Sequence, residues 1–258
     1  MPGNAFKDHF SAIADSYATA RPEYPDALFD AIAAHVPAQA EVWEPGCGSG
    51  QATRGLAARW ARVHACDPSA QQLERHWAHA DSLRGEGRVR LSVAPGERCD
   101  LDDGSVGLVA VAQALHWFER ERFFAECARA LAPGGVLAAW SYGDFAIPDG
   151  MDAAVSAFRA DIDGYWQREN FEVRDGYAGY DWPFEALPAP ALWLSVRWGL
   201  SRFLGYLNSL SASERCKVAT GEDPVYAHRA ALTRAWGPPD GERELRWPLI
   251  LHLRRKPL

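Results

Sequence analysis

Cysteine is scarce and unpatterned in this 258-residue sequence: five are present, an odd count, and none stand at Cys-x-x-Cys spacing. A disulfide framework and a zinc ribbon are both excluded. No stretch approaches the ~20 apolar residues of a membrane-spanning helix. The opening residues, MPGNAFKDHFSAIADSYA, have no apolar run behind a basic start, so no secretory signal is visible. A reducing, cytoplasmic location with no membrane partner is the resulting expectation. Positive charge is also short, with 27 Lys and Arg against 34 Asp and Glu and a net charge of −7. A broad nucleic-acid-binding face needs clustered cations to displace phosphate counterions. The longest basic run is Arg254-Arg255-Lys256, which reads as a solvated tail, so no nucleic-acid partner is expected. No His-x-x-x-His pair suggests a metal.

What is present is an ordinary globular composition, 48% apolar and 24% charged. Short apolar runs alternate with helical stretches, the pattern of a βαβ sheet with helices on both faces. Expected strands are 41–44, 62–66, 89–93, 106–112 and 136–140. Expected helices are 51–60, one from a Ser69 cap to about Ala80, and 119–131, stopped by Pro133-Gly134-Gly135. Beyond Gly143 the regularity weakens. A helix over Met151–Asp161 is followed by an irregular aromatic stretch. Then come a strand at WLSVRW, helices near 202–209 and 225–236, and a last strand at 245–253. Phe6, Phe10, Ile13 and Tyr17 fall on one helical face ahead of the breaker Arg21-Pro22-Glu23-Tyr24-Pro25.

The strongest local signal is Glu44-Pro45-Gly46-Cys47-Gly48-Ser49-Gly50, between the first strand and the first helix. Glycines at alternate positions let the backbone turn tightly and approach a ligand closely. The following helix would present free N–H groups and a positive dipole end. The spacing is not the Gly-x-Gly-x-x-Gly of dinucleotide binding, which disfavours a nicotinamide oxidoreductase, and no Lys-Ser/Thr pair makes it a Walker loop. Cys47, between two glycines, reads as a small packing residue. Asp67, 17 residues after Gly50, ends the second strand, where a carboxylate can accept both hydroxyls of a ribose or cap a helix. Glu97 follows the third strand, as an acceptor for an adenine amino group or as a solvated loop charge. Gln113, His116 and Trp117 follow the fourth. In open α/β sheets the ligand crevice lies at these carboxyl ends.

These pieces together resemble the class I S-adenosylmethionine-dependent methyltransferases. The small-molecule, methyltransferase type 11 branch that includes trans-aconitate methyltransferase is the nearest. The resemblance rests on VWEPGCGSG, the acid of ACD, GERCDLDDGSVGLVAVAQALHWF, and LAPGG before the fifth strand. It extends to Tyr17-Ala-Thr-Ala-Arg21-Pro22-Glu-Tyr24-Pro25, Tyr165-Trp166, Phe203-Leu-Gly-Tyr206 and Arg246-Trp247-Pro248-Leu249. Two positions depart from the family pattern: Ala94-Pro95-Gly96-Glu97, where Gly-x-Ala-Glu is commoner, and Gly107, where aspartate is usual.

The resemblance implies a Rossmann-like α/β fold: a seven-stranded sheet with helices on both faces and its last strand antiparallel. It implies S-adenosyl-L-methionine as cofactor and a small-molecule acceptor, O-methylated on a carboxylate or hydroxyl. Glu44, Gly46, Cys47, Gly48 and Gly50 would hold the methionine part, Asp67 the ribose and Glu97 the adenine side. Gln113 and His116 would stand by the cofactor and the acceptor entrance.

A carboxylate acceptor is already ionised at neutral pH, whereas a phenol or amine would need a base. His116 is the candidate base, or else a pocket wall. Arg21 would anchor an anionic acceptor or fix the N-terminal segment. Tyr17, Trp117, Tyr165, Trp166 and Tyr206 would line the acceptor pocket, with core packing as the alternative for Tyr206. We read the chain as one domain over 1–258. Segments 1–36 and 144–190 would form a partly helical lid over a core of 37–143 plus 191–258. A monomer or homodimer is expected. The competing functions are a non-catalytic S-adenosylmethionine-binding protein and a macromolecule methyltransferase. Against the latter, Gln113-Ala-Leu-His-Trp117 stands where amino-methylating enzymes carry Asn/Asp-Pro-Pro-Tyr/Phe.

Overall fold

The computed structural model describes residues 22–76, 87–238 and 240–258. The expected helix through Tyr17, the candidate anchor Arg21 and the far end of the helix after Ser69 lie outside the described residues. Helix α1 (Asp26–Ala33) leads into β1 (Glu41–Pro45), α2 (Thr53–Ala57), β2 (Arg62–Asp67), β3 (Val89–Val93) and β4 (Val106–Ala112). A 3-10 turn at Leu115–Trp117 precedes α3 (Arg120–Ala130) and β5 (Leu131–Tyr142). Then follow α4 (Asp152–Asp163), α5 (Arg168–Arg174), β6 (Glu185–Leu187), β7 (Leu192–Gly199), α6 (Leu200–Asn208), α7 (Ser211–Thr220), α8 (Pro224–Trp236) and β8 (Glu242–Arg255).

The sheet runs β3-β2-β1-β4-β5-β8-β6, with β7 also paired to β8. Strands β1 to β5 are parallel, and β8 runs antiparallel to β5. Strand β6 meets Leu253–Arg255 and β7 meets Glu242–Leu249, both on the edge of β8 that faces away from β5. The sheet therefore has seven columns, as expected, and eight strands, because the outermost column is split in two. Part of the segment expected as a lid, Glu185–Leu187, thus joins the sheet.

Side-chain alternation explains the two-sided core. Along β4, past the register shift between Val106 and Leu108, Leu108 and Ala110 enter one buried cluster, and Val109 and Val111 enter the other. Along β5, Val136, Ala138 and Trp140 alternate with Leu137 and Ala139 in the same way. A period of two over a continuous apolar run is what burial on both faces demands. Strand β8 differs. Leu245, Trp247, Leu249, Leu251 and Leu253 face the core while the residues between them are polar or half-buried, as suits a strand nearer the edge.

Several boundaries differ from the sequence expectation, among them these. The helix expected over 51–60 has regular α geometry only at Thr53–Ala57, flanked by turns. Strand β5 starts at Leu131, not Val136: Leu131 pairs with Val106 across an irregularity, and Gly134, at φ +76°, donates its N–H to Lys256 O. The stretch taken as irregular after 161 contains α5. Ser69 does cap as expected, its Oγ accepting from Gln72 N–H at 3.3 Å. Among the described residues no helix is long and apolar enough to cross a membrane.

Candidate active site

The strand order places β1 between β2 and β4, so the chain leaves the sheet in opposite directions at their carboxyl ends, which opens a crevice there. The glycine loop closes β1. Gly46, Gly48 and Gly50 all have positive φ (+68°, +53° and +87°), backbone that glycine adopts without strain. The three glycines differ in what surrounds them. A Cβ on Gly46 would stand 2.7 Å from Ala114 Cβ and 3.0 Å from Phe118 Cζ. One on Gly50 would stand 2.7 Å from His76 Cδ2. One on Gly48 would meet nothing within 4 Å among the described residues. Gly46 and Gly50 are thus glycines because protein packs against them. Gly48 turns its bare face to open space, a cradle in which a ligand can lie against the backbone.

Asp67 braces this loop from the end of β2. Its Oδ2 accepts from Gly48 N–H at 3.0 Å and its Oδ1 from Ser69 N–H at 2.9 Å. Two backbone donors fix the plane of the carboxylate, which is largely buried. Glu44, the last strand residue before Pro45, is buried. Thr53 Oγ1 donates to Glu44 Oε2 at 2.7 Å and lies 2.8 Å from His76 Nε2, which donates to it in the Nε2–H tautomer. Glu44 Oε1 has no partner among the described residues. Burial pushes the Glu44 carboxyl up to about 8, and the nearby Asp67 charge pushes the same way, against the Thr53 hydrogen bond. An orphaned, buried carboxylate oxygen costs about 1–3 kcal/mol unless a ligand satisfies it. The same burial raises the Cys47 thiol well above its ordinary range, consistent with a packing residue.

Glu97 follows β3, and its Oε1 accepts from Glu119 N–H at 2.7 Å, holding the start of α3. Phe118 fills the gap against Gly46 and Gly96. At the end of β4, Gln113 has φ +53°, and its Nε2 donates to Tyr142 O at 2.7 Å. Tyr177 is the other described non-glycine residue with positive φ, at +57°. Its hydroxyl lies 3.2 Å from His116 Nδ1. Backbone strain of this kind persists only where surrounding contacts enforce it, and both instances fall at one corner of the crevice. Burial pushes the His116 imidazole down to about 3, so the ring is neutral at physiological pH.

A cavity of about 130 Å³ opens beyond the ends of β4 and β5, walled by α4, α5 and α6. Gln113, His116, Trp117, Trp166 and Tyr206 line it, so five expected site residues converge there. Tyr165 is outside the lining; its carbonyl accepts from Arg215. Tyr206 is buried, and its hydroxyl accepts from Trp247 Nε1 at 3.1 Å, so it is held by the core as much as it walls the cavity.

The sequence reading missed Thr53, His76, Phe118 and Arg159. Arg159 lines the cavity from α4, half-buried, its Nη2 donating to Phe145 O at 2.9 Å and its guanidinium 4.6 Å from the Phe145 ring centroid. No carboxylate among the described residues pairs with it. The neighbouring Arg174, by contrast, is neutralised by Asp144 at 2.7 Å and Asp163 at 3.5 Å. Arg159 lies on an amphipathic helix among other charges, and no sequence motif marks it.

Known proteins share this architecture. The pattern of the methyltransferase domain family matches residues 43–139, from β1 through most of β5. A Dictyostelium discoideum protein assigned as a methyltransferase is 32% identical over 259 residues, covering 97% of this chain and 96% of that one. A solved structure from Anaeromyxobacter dehalogenans, assigned as a type II methyltransferase, is 38% identical with a TM-score of 0.83, covering 92% of this chain and 99% of that chain. A malonyl-[acyl-carrier protein] O-methyltransferase from Methylococcus capsulatus is 31% identical over 163 residues, 62% of this chain and 56% of its own length. With the glycine loop, the acid ending β2 and the sheet order in place, the chain belongs to the S-adenosylmethionine-dependent methyltransferases of class I fold.

Proposed function

We propose that this methyltransferase esterifies a carboxylate of a small acceptor held in the cavity beside the glycine loop. The observation that carries the reading is Arg159, a half-buried cation in the cavity wall with no carboxylate partner among the described residues, so an anionic acceptor would supply a counter-charge. The cavity volume suits a small molecule. The O-methyltransferase among the relatives supports the same reaction type.

The cofactor supplies an electrophilic methyl group on a sulfonium, and the protein's task is alignment and exclusion of water. Gly46, Cys47, Gly48 and Gly50 would cradle its methionine part with Glu44 beneath. Asp67 would accept from the ribose hydroxyls, and Glu97 would offer Oε2 to the adenine amino group. A carboxylate oxygen attacks without losing a proton, so no base is needed. His116, with so little affinity for a proton, would serve as a neutral wall and hydrogen-bonding partner of Tyr177. Helices α4 and α5, and the outlying Tyr17 and Arg21 segment, would form the lid that keeps the site dry.

Replacing Arg159 by alanine is expected to raise the acceptor KM about 10- to 100-fold, the loss of one charge-assisted contact, with cofactor affinity unchanged. Arg159→Lys should recover part of it as a point charge without the fork. Steady-state kinetics with a panel of small carboxylic acids checks this. An unchanged KM in Arg159→Ala for every acid that is turned over would remove Arg159 from acceptor binding.

A further inference from the structure

Glu44, Thr53 and His76 form a buried chain under the glycine loop. His76 is fully buried and lies against Gly50, so close that any side chain at 50 would collide with it. Thr53 is fully buried between His76 and Glu44. The chain ends on Glu44 Oε1, which has no partner among the described residues. We propose that this chain is a proton-exchange device. Glu44 is a neutral acid in the free protein. The cofactor's ammonium group becomes the partner of Oε1, and one proton leaves Glu44 for solvent on binding. The inference rests on Glu44 serving the methionine part of the cofactor.

The geometry allows both states. The Thr53 hydroxyl donates to Oε2 of a carboxylate and can accept from the same oxygen when it is protonated, so Oε2 stays satisfied throughout. Among the described residues, the other charged or titratable groups around Glu44 are Asp67 at the end of β2, Cys47 in the loop and His76 through Thr53. None of them is a cation held against Glu44. An isolated carboxylate there would be costly until a positive ligand arrives. Burial and the Asp67 charge act in the same direction on Glu44. Gly50 then has a second use beyond the turn, since it makes the room in which His76 orients Thr53. Thr53 and His76 are positioning residues.

The test is calorimetric titration of the whole protein with S-adenosylhomocysteine between pH 6 and 7.5, in buffers of different ionisation enthalpy. That window lies below the ~8 titration of an amino group. The expected result for wild type is release of close to one proton. The affinity should rise by about tenfold per pH unit, because the free form binds the proton that the complex lacks. Glu44→Gln should release none and bind with a pH-independent affinity near the wild type's at the acid end. Thr53→Val should blunt the release, and Thr53→Ser should restore it, a rescue that mere packing would not give. An infrared difference spectrum should show the protonated carboxyl band of the free protein vanish on binding, and not in Glu44→Gln.

Tight binding with no proton release by wild type would overturn the inference and leave the cofactor site standing. Release that persists in Glu44→Gln would assign the proton to another group and overturn it equally. No binding by the folded wild type at any pH would overturn the cofactor placement itself.

Discussion

Alanine at Gly48 and alanine at Gly50 are expected to fail in opposite ways. Both positions have positive φ, which costs a Cβ-bearing residue about 1–2 kcal/mol. At Gly50 the new methyl also strikes the His76 ring at 2.7–3.0 Å, in a buried place where the ring cannot swing aside. Overpacking of that kind adds about 1–3 kcal/mol, so Gly50→Ala should lose about 2–5 kcal/mol of stability. Chemical unfolding measures it. The double variant Gly50→Ala, His76→Ala should recover part of the loss, a coupling of about 1–3 kcal/mol between touching residues. At Gly48 the methyl meets no atom of the described residues. Gly48→Ala should therefore pay only the backbone cost and yet bind S-adenosylhomocysteine more weakly by about tenfold or more. Wild-type affinity in Gly48→Ala would mean that the open face of the loop is not where the cofactor lies.

Asp67→Ala should remove cofactor binding almost entirely. The carboxylate both braces the loop through Gly48 N–H and, on our reading, accepts from the ribose. Each hydrogen bond to a charged group is worth about 1.5–3 kcal/mol, and losing two of them weakens affinity by about 100-fold or more. Asp67→Asn separates the roles. An amide keeps one acceptor but sets a donor against either Gly48 N–H or Ser69 N–H, so its affinity should be intermediate. Titration with S-adenosylhomocysteine, with far-ultraviolet circular dichroism as the check on folding, decides it. Binding by folded Asp67→Ala at wild-type strength would dissociate the β2 acid from the ribose.

The parts legible in the sequence are those whose physics is local. A turn that needs positive φ at alternate residues must be written with glycine, so Gly46, Gly48 and Gly50 announce the loop. A strand buried on both faces must be written as an unbroken apolar run, so Val106–Ala112 announces the centre of the sheet. What stayed hidden depends on residues meeting from distant elements. Thr53 and His76 have ordinary surroundings in sequence, and only the fold of the loop over them joins them to Glu44. Arg159 looks like any charge on the outer face of a helix until β5 delivers Phe145 beneath it. Helix α7 (SASERCKVAT) has too little amphipathic contrast to stand out, and β6 is three residues long. His116 lines the cavity, and its place just after a central strand is legible. Its neutrality is not, because that follows from burial and not from spacing.

The most direct measurement of the central claim follows the methyl group. The protein would be incubated with S-adenosylmethionine carrying a labelled methyl and with a cell extract divided into small-molecule and macromolecular fractions. Label is expected in the small-molecule fraction, released by mild base as a methyl ester would be, and much reduced with Arg159→Ala. Label confined to protein or nucleic acid, or a base-stable product alone, would contradict the claim.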